Sequence, residues 1–156
     1  MTAPFPIVDA HQHFWDLGRN RYPWLQDEPM IPFRYGSYAA IRKNYLPADY
    51  RRDSNGYRIE GSVYVEAEWN PSDPVAEMDY IDRLRRSEGL PTVAVAQARL
   101  DGDNVEAMLE RQAAFPFVRS IRHKPRANAS PRDAAPGGMT DVAWRRGYAL
   151  DRKSVV

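Results

Sequence analysis

Gly61-Ser-Val-Tyr-Val-Glu-Ala-Glu68 decides the fold. Its β-branched residues alternate with others, as in a strand whose two faces meet different surroundings. Asp73-Pro74 follows, an N-cap residue with proline in the first helical turn. Val75, Met78, Ile81 and Leu84 then recur at helical spacing as one apolar face, until Gly89 and Pro91 stop the helix. Thr92-Val-Ala-Val-Ala-Gln-Ala-Arg-Leu100 is the next strand, small and apolar enough to be covered on both faces. Strand, crossover helix and strand make one βαβ unit, and such units are right-handed.

The unit repeats in both directions. Asp103 is placed to cap a helix carrying Val105, Met108 and Leu109, with Glu106 positioned for a capping box. Phe117-Val-Arg-Ser-Ile-Arg-His123 reads as a further strand. A loop rich in Pro, Ala and Gly runs from Lys124 to Met139, and Thr140 or Asp141 then caps a last helix in which Trp144 and Tyr148 share a face. Upstream, Ile7 to His13 forms the first strand. Between it and Gly61 lies an irregular stretch, Asp16 to about Gly56, dense in Tyr, Trp, Pro and Arg. It holds a short helix around Tyr38 to Lys43 and a turn near Pro47 to Tyr50, and loops of this length inside a domain are usually functional. The expected fold is α/β: four parallel strands in sequential order near residues 7–13, 60–68, 92–100 and 117–123, with helices on the outer face only. That is the N-terminal half of a (β/α)8 TIM barrel. A small open sheet is the alternative, and the chain has no glycine-rich dinucleotide loop.

Composition narrows the chemistry. The 156 residues are 43% apolar and 28% charged, which suits a globular domain with a sizeable core. A formal charge of +1 gives no electrostatic footprint for nucleic acid. The absence of cysteine excludes disulfides, thiolate metal sites and a cysteine nucleophile. Met1 to Pro6 show no basic stretch leading into a long apolar one, and no apolar run approaches the roughly 20 residues that span a bilayer. The expectation is a soluble, cytoplasmic chain acting on a small molecule, with no nucleic-acid or membrane partner. Homo-oligomerisation is left open.

Asp9-Ala10-His11-Gln12-His13 ends the first strand. Residues two apart point to one face of a strand, so both imidazoles are aimed at one spot beside its C-terminal end. Neutral imidazole is a common ligand for zinc and similar metals, and two on one rigid element form half of a metal site. Two surface histidines near a flexible terminus are the bland alternative. The chain has only three histidines, and two of them stand here.

The run Ile7-Val-Asp-Ala-His-Gln-His-Phe-Trp-Asp16, followed by Arg21-Tyr-Pro-Trp-Leu25, resembles the amidohydrolase superfamily. The branch it is most similar to is that of the amidohydrolase-related (amidohydrolase 2) TIM-barrel hydrolases, which holds sugar lactonases and 2-pyrone-4,6-dicarboxylate lactonase. Val63-Tyr-Val-Glu-Ala-Glu-Trp69 resembles that branch's second strand, and Val118-Arg-Ser-Ile-Arg-His-Lys-Pro125 its fourth. The resemblance implies a metal-dependent hydrolase that opens the lactone ring of a sugar-acid or carboxylated substrate. The implied cofactor is a divalent metal, zinc or manganese, although some lactonases of the branch keep the histidines without requiring one. A metal-dependent decarboxylase and a non-catalytic fragment are the alternatives.

Site residues follow from strand position and the resemblance together. His11 and His13 are the metal ligands. Glu66, late in the second strand, is a catalytic carboxylate, either a further ligand or a partner of a histidine, with a solvated or helix-capping carboxylate as the alternative. His123 is a catalytic hydrogen-bond donor. Arg119 and Arg122 are placed to clamp a substrate carboxylate or to pair with a neighbouring acid, and by strand parity Arg119 shares a face with His123. Trp15 and Trp69 line the pocket or simply pack. A closed barrel needs about 250 residues, and the family's later-strand histidine and final-strand aspartate have no counterpart here. The chain is therefore expected to be an N-terminal fragment, inactive alone, with a partial barrel domain over 1–150 and a truncated or non-native tail over 151–156.

Overall fold

Four strands pair in the order β1-β2-β3-β4, every neighbouring pair parallel. They are β1 Pro6–Gln12, β2 Arg58–Val65, β3 Val93–Gln97 and β4 Val118–Arg122. The helices are α1 Pro23–Gln26, α2 Pro47–Asp53, α3 Val75–Glu88, α4 Val105–Ala113 and α5 Val142–Ser154, with a 3-10 turn at Ala39–Ile41. The computed structural model describes residues 5–33, 36–133 and 135–154, the last three of these by backbone only. Sequential order with right-handed crossovers puts α2, α3 and α4 on one side of the sheet and curves it as in a barrel, whereas a doubly wound sheet reverses its order. The fold is half of a (β/α)8 barrel.

The burial pattern shows which face meets the helices. Tyr64, Ala94, Ala96 and Ala98 are all 0% exposed and pack against Met78 and Ile81 of α3 and Leu109 of α4. The alanines leave room for the helices to approach the sheet closely. Val8, Val63, Val93 and Val95 have the opposite parity and form the concave face, on which Val8 is 66% exposed. Phe14, Tyr22 and Leu25, from the segment after β1, join the main core cluster and close it near the strands' C-terminal ends.

Local signals explain most element ends. Asp73 Oδ1 accepts from the Ala76 N–H, and Gly89 closes α3 at φ 73 with its own N–H on the Arg85 carbonyl, a left-handed cap that glycine adopts without a Cβ penalty. Asp141 caps α5 by accepting from Ala143 N–H. Several expectations need correction: the strand over 92–100 stops at Gln97, and the turn near Pro47 to Tyr50 is the helix α2. The helix after β3 starts behind Asn104 with no side-chain cap, so Asp103 is not its capping residue. The strand over 60–68 stops at Val65, because the chain bends away over Glu66–Glu68. The last helix, α5, runs to Ser154. No helix among the described residues is long and apolar enough to cross a membrane.

Candidate functional site at the strand ends

The end of β1 and the residue just beyond it bring the two imidazoles together. His11 Nε2 and His13 Nε2 stand 3.2 Å apart, with ring centroids 4.9 Å apart at 74°. His13 Nδ1 lies 2.7 Å from the Val65 carbonyl, which can only accept, so the proton sits on Nδ1 and the Nε2 lone pair faces His11 Nε2. Burial pushes the His13 imidazolium down to about 4, outweighing the pull of the Val65 carbonyl, so the ring is neutral near pH 7. Behind the pair, Asp9 accepts from the His11 N–H through Oδ1 and from the Tyr50 hydroxyl through Oδ2. Gln12, between the histidines, points the other way and is buried near Ser62.

The bend after β2 supplies the carboxylates. Glu66 is 2% exposed; its N–H donates to the Val95 carbonyl, its Oε2 accepts from the Glu68 N–H at 2.8 Å, and its Oε1 lies 3.1 Å from Arg122 Nη1. The same Arg122 nitrogen donates to the Glu66 carbonyl. Burial raises the Glu66 pKa, against the lowering influence of Arg122 and then Lys124. Glu68 sits at φ 55, a region that favours glycine, and its carboxylate pairs with the Lys124 ammonium. Two ion pairs thus run in parallel from the end of β2 to the end of β4, over the end of β3.

The bend is also held from behind. The Trp24 indole donates to the Ala67 carbonyl at 2.8 Å, and Glu77 Oε1, on α3, accepts from the Ala67 N–H and the Tyr64 hydroxyl, each at 2.7 Å. Glu77 is fully buried, with no hydrogen-bond partner for Oε2, and burial pushes its carboxyl up to about 8.

A cleft with two lobes opens around these pairs. Glu66, Glu68, Arg122, Lys124 and Trp24 border both. One lobe continues along Trp69, Pro71, Gln97 and His123. The other continues past His13 and Trp15 to Ile31, Phe33 and Ile41. The structure therefore places His13, Glu66, Arg122, His123, Trp15 and Trp69 on one cleft, with His11 against His13. Arg119 is exposed on β4 and borders neither lobe. The parity that joined it to His123 fails because β4 ends at Arg122, so His123 already lies in the loop beyond. His123 Nδ1 accepts from the Leu100 N–H and the Trp144 indole, while Nε2 faces Asp101 at 3.7 Å; burial lowers the ring's pKa, with Asp101 opposing. Trp15 is 8% exposed and its indole donates to the Lys43 carbonyl, so it is mostly wall.

The donor set fits a divalent ion in part. Two nitrogens about 2.0–2.1 Å from a tetrahedral zinc lie about 3.3 Å apart, close to the 3.2 Å between His11 and His13 Nε2. The Val65 carbonyl fixes the His13 tautomer as outer-shell acceptors do for ligating histidines. No third member joins them: among the described residues no group of three or more His, Cys, Asp or Glu side chains is arranged to hold a metal, and Glu66 is engaged by Arg122 and the Glu68 N–H.

Comparison with known proteins agrees with the architecture. No protein-family model matches the chain. It is 31% identical over 116 residues to the uncharacterized protein y4mH of Sinorhizobium fredii (strain NBRC 101917 / NGR234), over 74% of this chain and 39% of that protein. Two crystal structures of an amidohydrolase from Burkholderia multivorans superpose on 95% of the chain with a TM-score of 0.61. One, with bound HEPES, is 22% identical; the other, with bound zinc, is 21% identical. The chain spans 45% and 46% of their lengths. At that identity the likeness shows the fold: these four βα units are arranged as in an amidohydrolase barrel.

Proposed function

We propose that this chain carries the first half of a metal-assisted hydrolase site of the amidohydrolase superfamily, one that opens a cyclic ester. The observation that carries the proposal is the His11–His13 pair, Nε2 to Nε2 at 3.2 Å, with the His13 tautomer fixed by Val65. The zinc in one structural neighbour and the barrel architecture support it. His11 and His13 would hold the ion. When bound, such an ion polarises a carbonyl and lowers the pKa of its water towards about 7.

The chain's own groups divide the remaining work. Glu66 is the carboxylate nearest in character to a proton acceptor: its raised pKa moves it towards the range in which a base operates near neutral pH. Arg122 fixes its orientation through two contacts. His123, with Nδ1 occupied as an acceptor, has Nε2–H as its remaining donor, shared between a substrate oxygen and Asp101, whose Oδ1 is 3.7 Å away. Trp69 and Gln97 wall the lobe in which the departing side of the ester would lie.

Calorimetric titration of the metal-free chain with zinc chloride tests the reading. One ion should bind, weakly and reversibly to a chelator, because two imidazoles are half of a tetrahedral set. His13→Ala should abolish that binding while the far-UV circular dichroism is unchanged. Undiminished zinc binding in His13→Ala and His11→Ala would overturn the assignment.

A further inference from the structure

Three large apolar side chains line the same lobe as His13, and all three are exposed: Ile31 at 53%, Phe33 at 49% and Ile41 at 41%. They come from the segment between β1 and α2, not from the sheet, and Tyr38 braces Phe33 edge to face at 5.9 Å. Trp24 meets Tyr38 at 5.7 Å on one side and Trp15 at 6.0 Å on the other. An aromatic and aliphatic wall therefore runs from the surface down to the imidazole. Among the described residues, the charged groups that border this lobe are Glu66 with Arg122 and Glu68 with Lys124, from the ends of β2 and β4. We propose that this lobe is an apolar subsite, and that the chain binds a small carboxylic acid derivative whose acyl part carries a one-ring aromatic group.

Size and chemistry select that occupant. The lobe encloses about 270 Å³, and an apolar cavity of about 150 Å³ takes benzene, so one ring and its carboxyl derivative fit where two fused rings and a chain do not. A ring laid against Trp24 and Phe33 gains offset or edge-to-face contacts and covers the exposed faces of Ile31 and Ile41. A polyhydroxylated ring in the same place would turn its hydroxyls towards Ile31, Phe33 and Ile41, which offer no hydrogen-bond partner and leave those hydroxyls unsatisfied. The carbonyl end meets the opposite surroundings: His13 Nε2, and the Arg122 and Lys124 donors, which can share a carboxyl oxygen with their glutamates. The subsite itself stands on the lining; only the assignment of the carbonyl's C–O ester bond as the one hydrolysed rests on the hydrolase reading above.

The indole N–H of Trp24, hydrogen-bonded to Ala67 at the boundary of the two lobes, is a built-in reporter. Phenylacetate, acetate and gluconate are titrated into the ¹⁵N-labelled chain while the tryptophan indole resonances are followed. Phenylacetate should shift the Trp24 and Trp15 signals and bind at least about tenfold more tightly than acetate or gluconate, the scale on which apolar pockets discriminate. The Phe33→Ser/Ile41→Ser double variant alters two exposed side chains and should lose about tenfold in phenylacetate affinity. Val142→Ser, at an 81% exposed apolar residue bordering neither lobe, should lose nothing. Equal affinities for phenylacetate and gluconate, or an unchanged affinity in the Phe33→Ser/Ile41→Ser variant, would overturn the subsite. Zinc is omitted throughout, so failure of the metal titration leaves this result standing, and the reverse also holds.

Discussion

Arg122 is the residue on which the carboxylate end of the cleft depends. Its Nη1 reaches both the backbone carbonyl and the carboxylate of Glu66, and the glutamate side chain is only 3% exposed. An ionised carboxylate so deeply placed is tolerable because a guanidinium faces it. Removing the cation strands the charge. Arg122→Met should cost about 2 kcal/mol at pH 7 in urea denaturation, at the low end for a buried charged pair because Arg122 itself is 29% exposed. Adding Glu66→Gln to that variant should restore most of the loss. A single variant as stable as the parent would show that the pair contributes nothing. This contact spans 56 residues of sequence, so no local pattern announces it. Glu66 itself was legible, because a carboxylate late in an alternating strand points to the strand's C-terminal mouth. Parity also turns Glu68 towards Glu66's side, but its pairing with Lys124 depends on the bend after Val65, where the strand's period of two no longer applies. Ile31, Phe33 and Ile41 lie in a segment with no period at all, so nothing in their spacing showed that they share a wall.

Among the elements, α3 and α5 carry constraints that helical periodicity conceals. The apolar stripe of α3, with Asp73 before it and Gly89 after it, is plain in the sequence, yet Glu77, beside that stripe, is also fully buried. Its carboxyl titrates at about 8 in the folded chain against 4.5 when unperturbed. Between those values the folded state holds a proton that the unfolded state has released. The stability contributed by the neutral carboxyl is therefore complete below about pH 4.5 and is lost as the pH rises towards 8. Unfolding free energy should fall by up to about 1.4 kcal/mol per pH unit across that window. Glu77→Gln keeps a carbonyl acceptor for Ala67 and Tyr64 and should flatten the slope, which urea titrations at pH 5, 6, 7 and 8 would read directly. A slope that persists in Glu77→Gln would assign it to another group. Asp133, held at about 2 by the Ala129 and Ala135 N–H groups and then Arg126, acts on the far acid side of this window.

In α5 the informative position is Gly147. A Cβ there would lie 2.0 Å from the Leu100 carbonyl oxygen, so the helix approaches the turn after β3 more closely than any side chain allows. That approach is what lets the Trp144 indole reach His123. Gly147→Ala should push α5 outward at a cost of about 1–3 kcal/mol. The change should also appear as a red shift in Trp144 fluorescence, measured in a background with Trp15, Trp24 and Trp69 replaced by Phe. An unshifted spectrum and unchanged stability would mean that α5 is not seated as described.

At the scale of the whole molecule, the sheet is open along β1 and β4, which have no further strand partner among the described residues. The order of the βα units was legible because each strand and crossover helix carries its own local signal. The closeness of the match to an amidohydrolase barrel could be tested only in three dimensions, where the superposition covers 95% of the chain. An open parallel edge presents unpaired N–H and C=O groups, and charged side chains are the usual defence against pairing with another molecule. The two edges differ in this respect. β4 carries Arg119 and Arg122, whereas β1, whose Asp9 carboxylate is held by the His11 N–H and the Tyr50 hydroxyl, begins behind Phe5, 88% exposed, and displays Val8, 66% exposed, on the concave face. Association of the 156-residue chain should therefore proceed through β1. Sedimentation velocity over a hundredfold concentration range should show a mass that rises with concentration, and Val8→Lys, which places an ammonium on the apolar edge, should suppress the rise. Ser120→Lys on β4, where arginines already stand, should change it little. A concentration-independent monomer in the parent chain, or equal suppression by the two substitutions, would mean that the β1 edge is not the surface through which these half barrels meet.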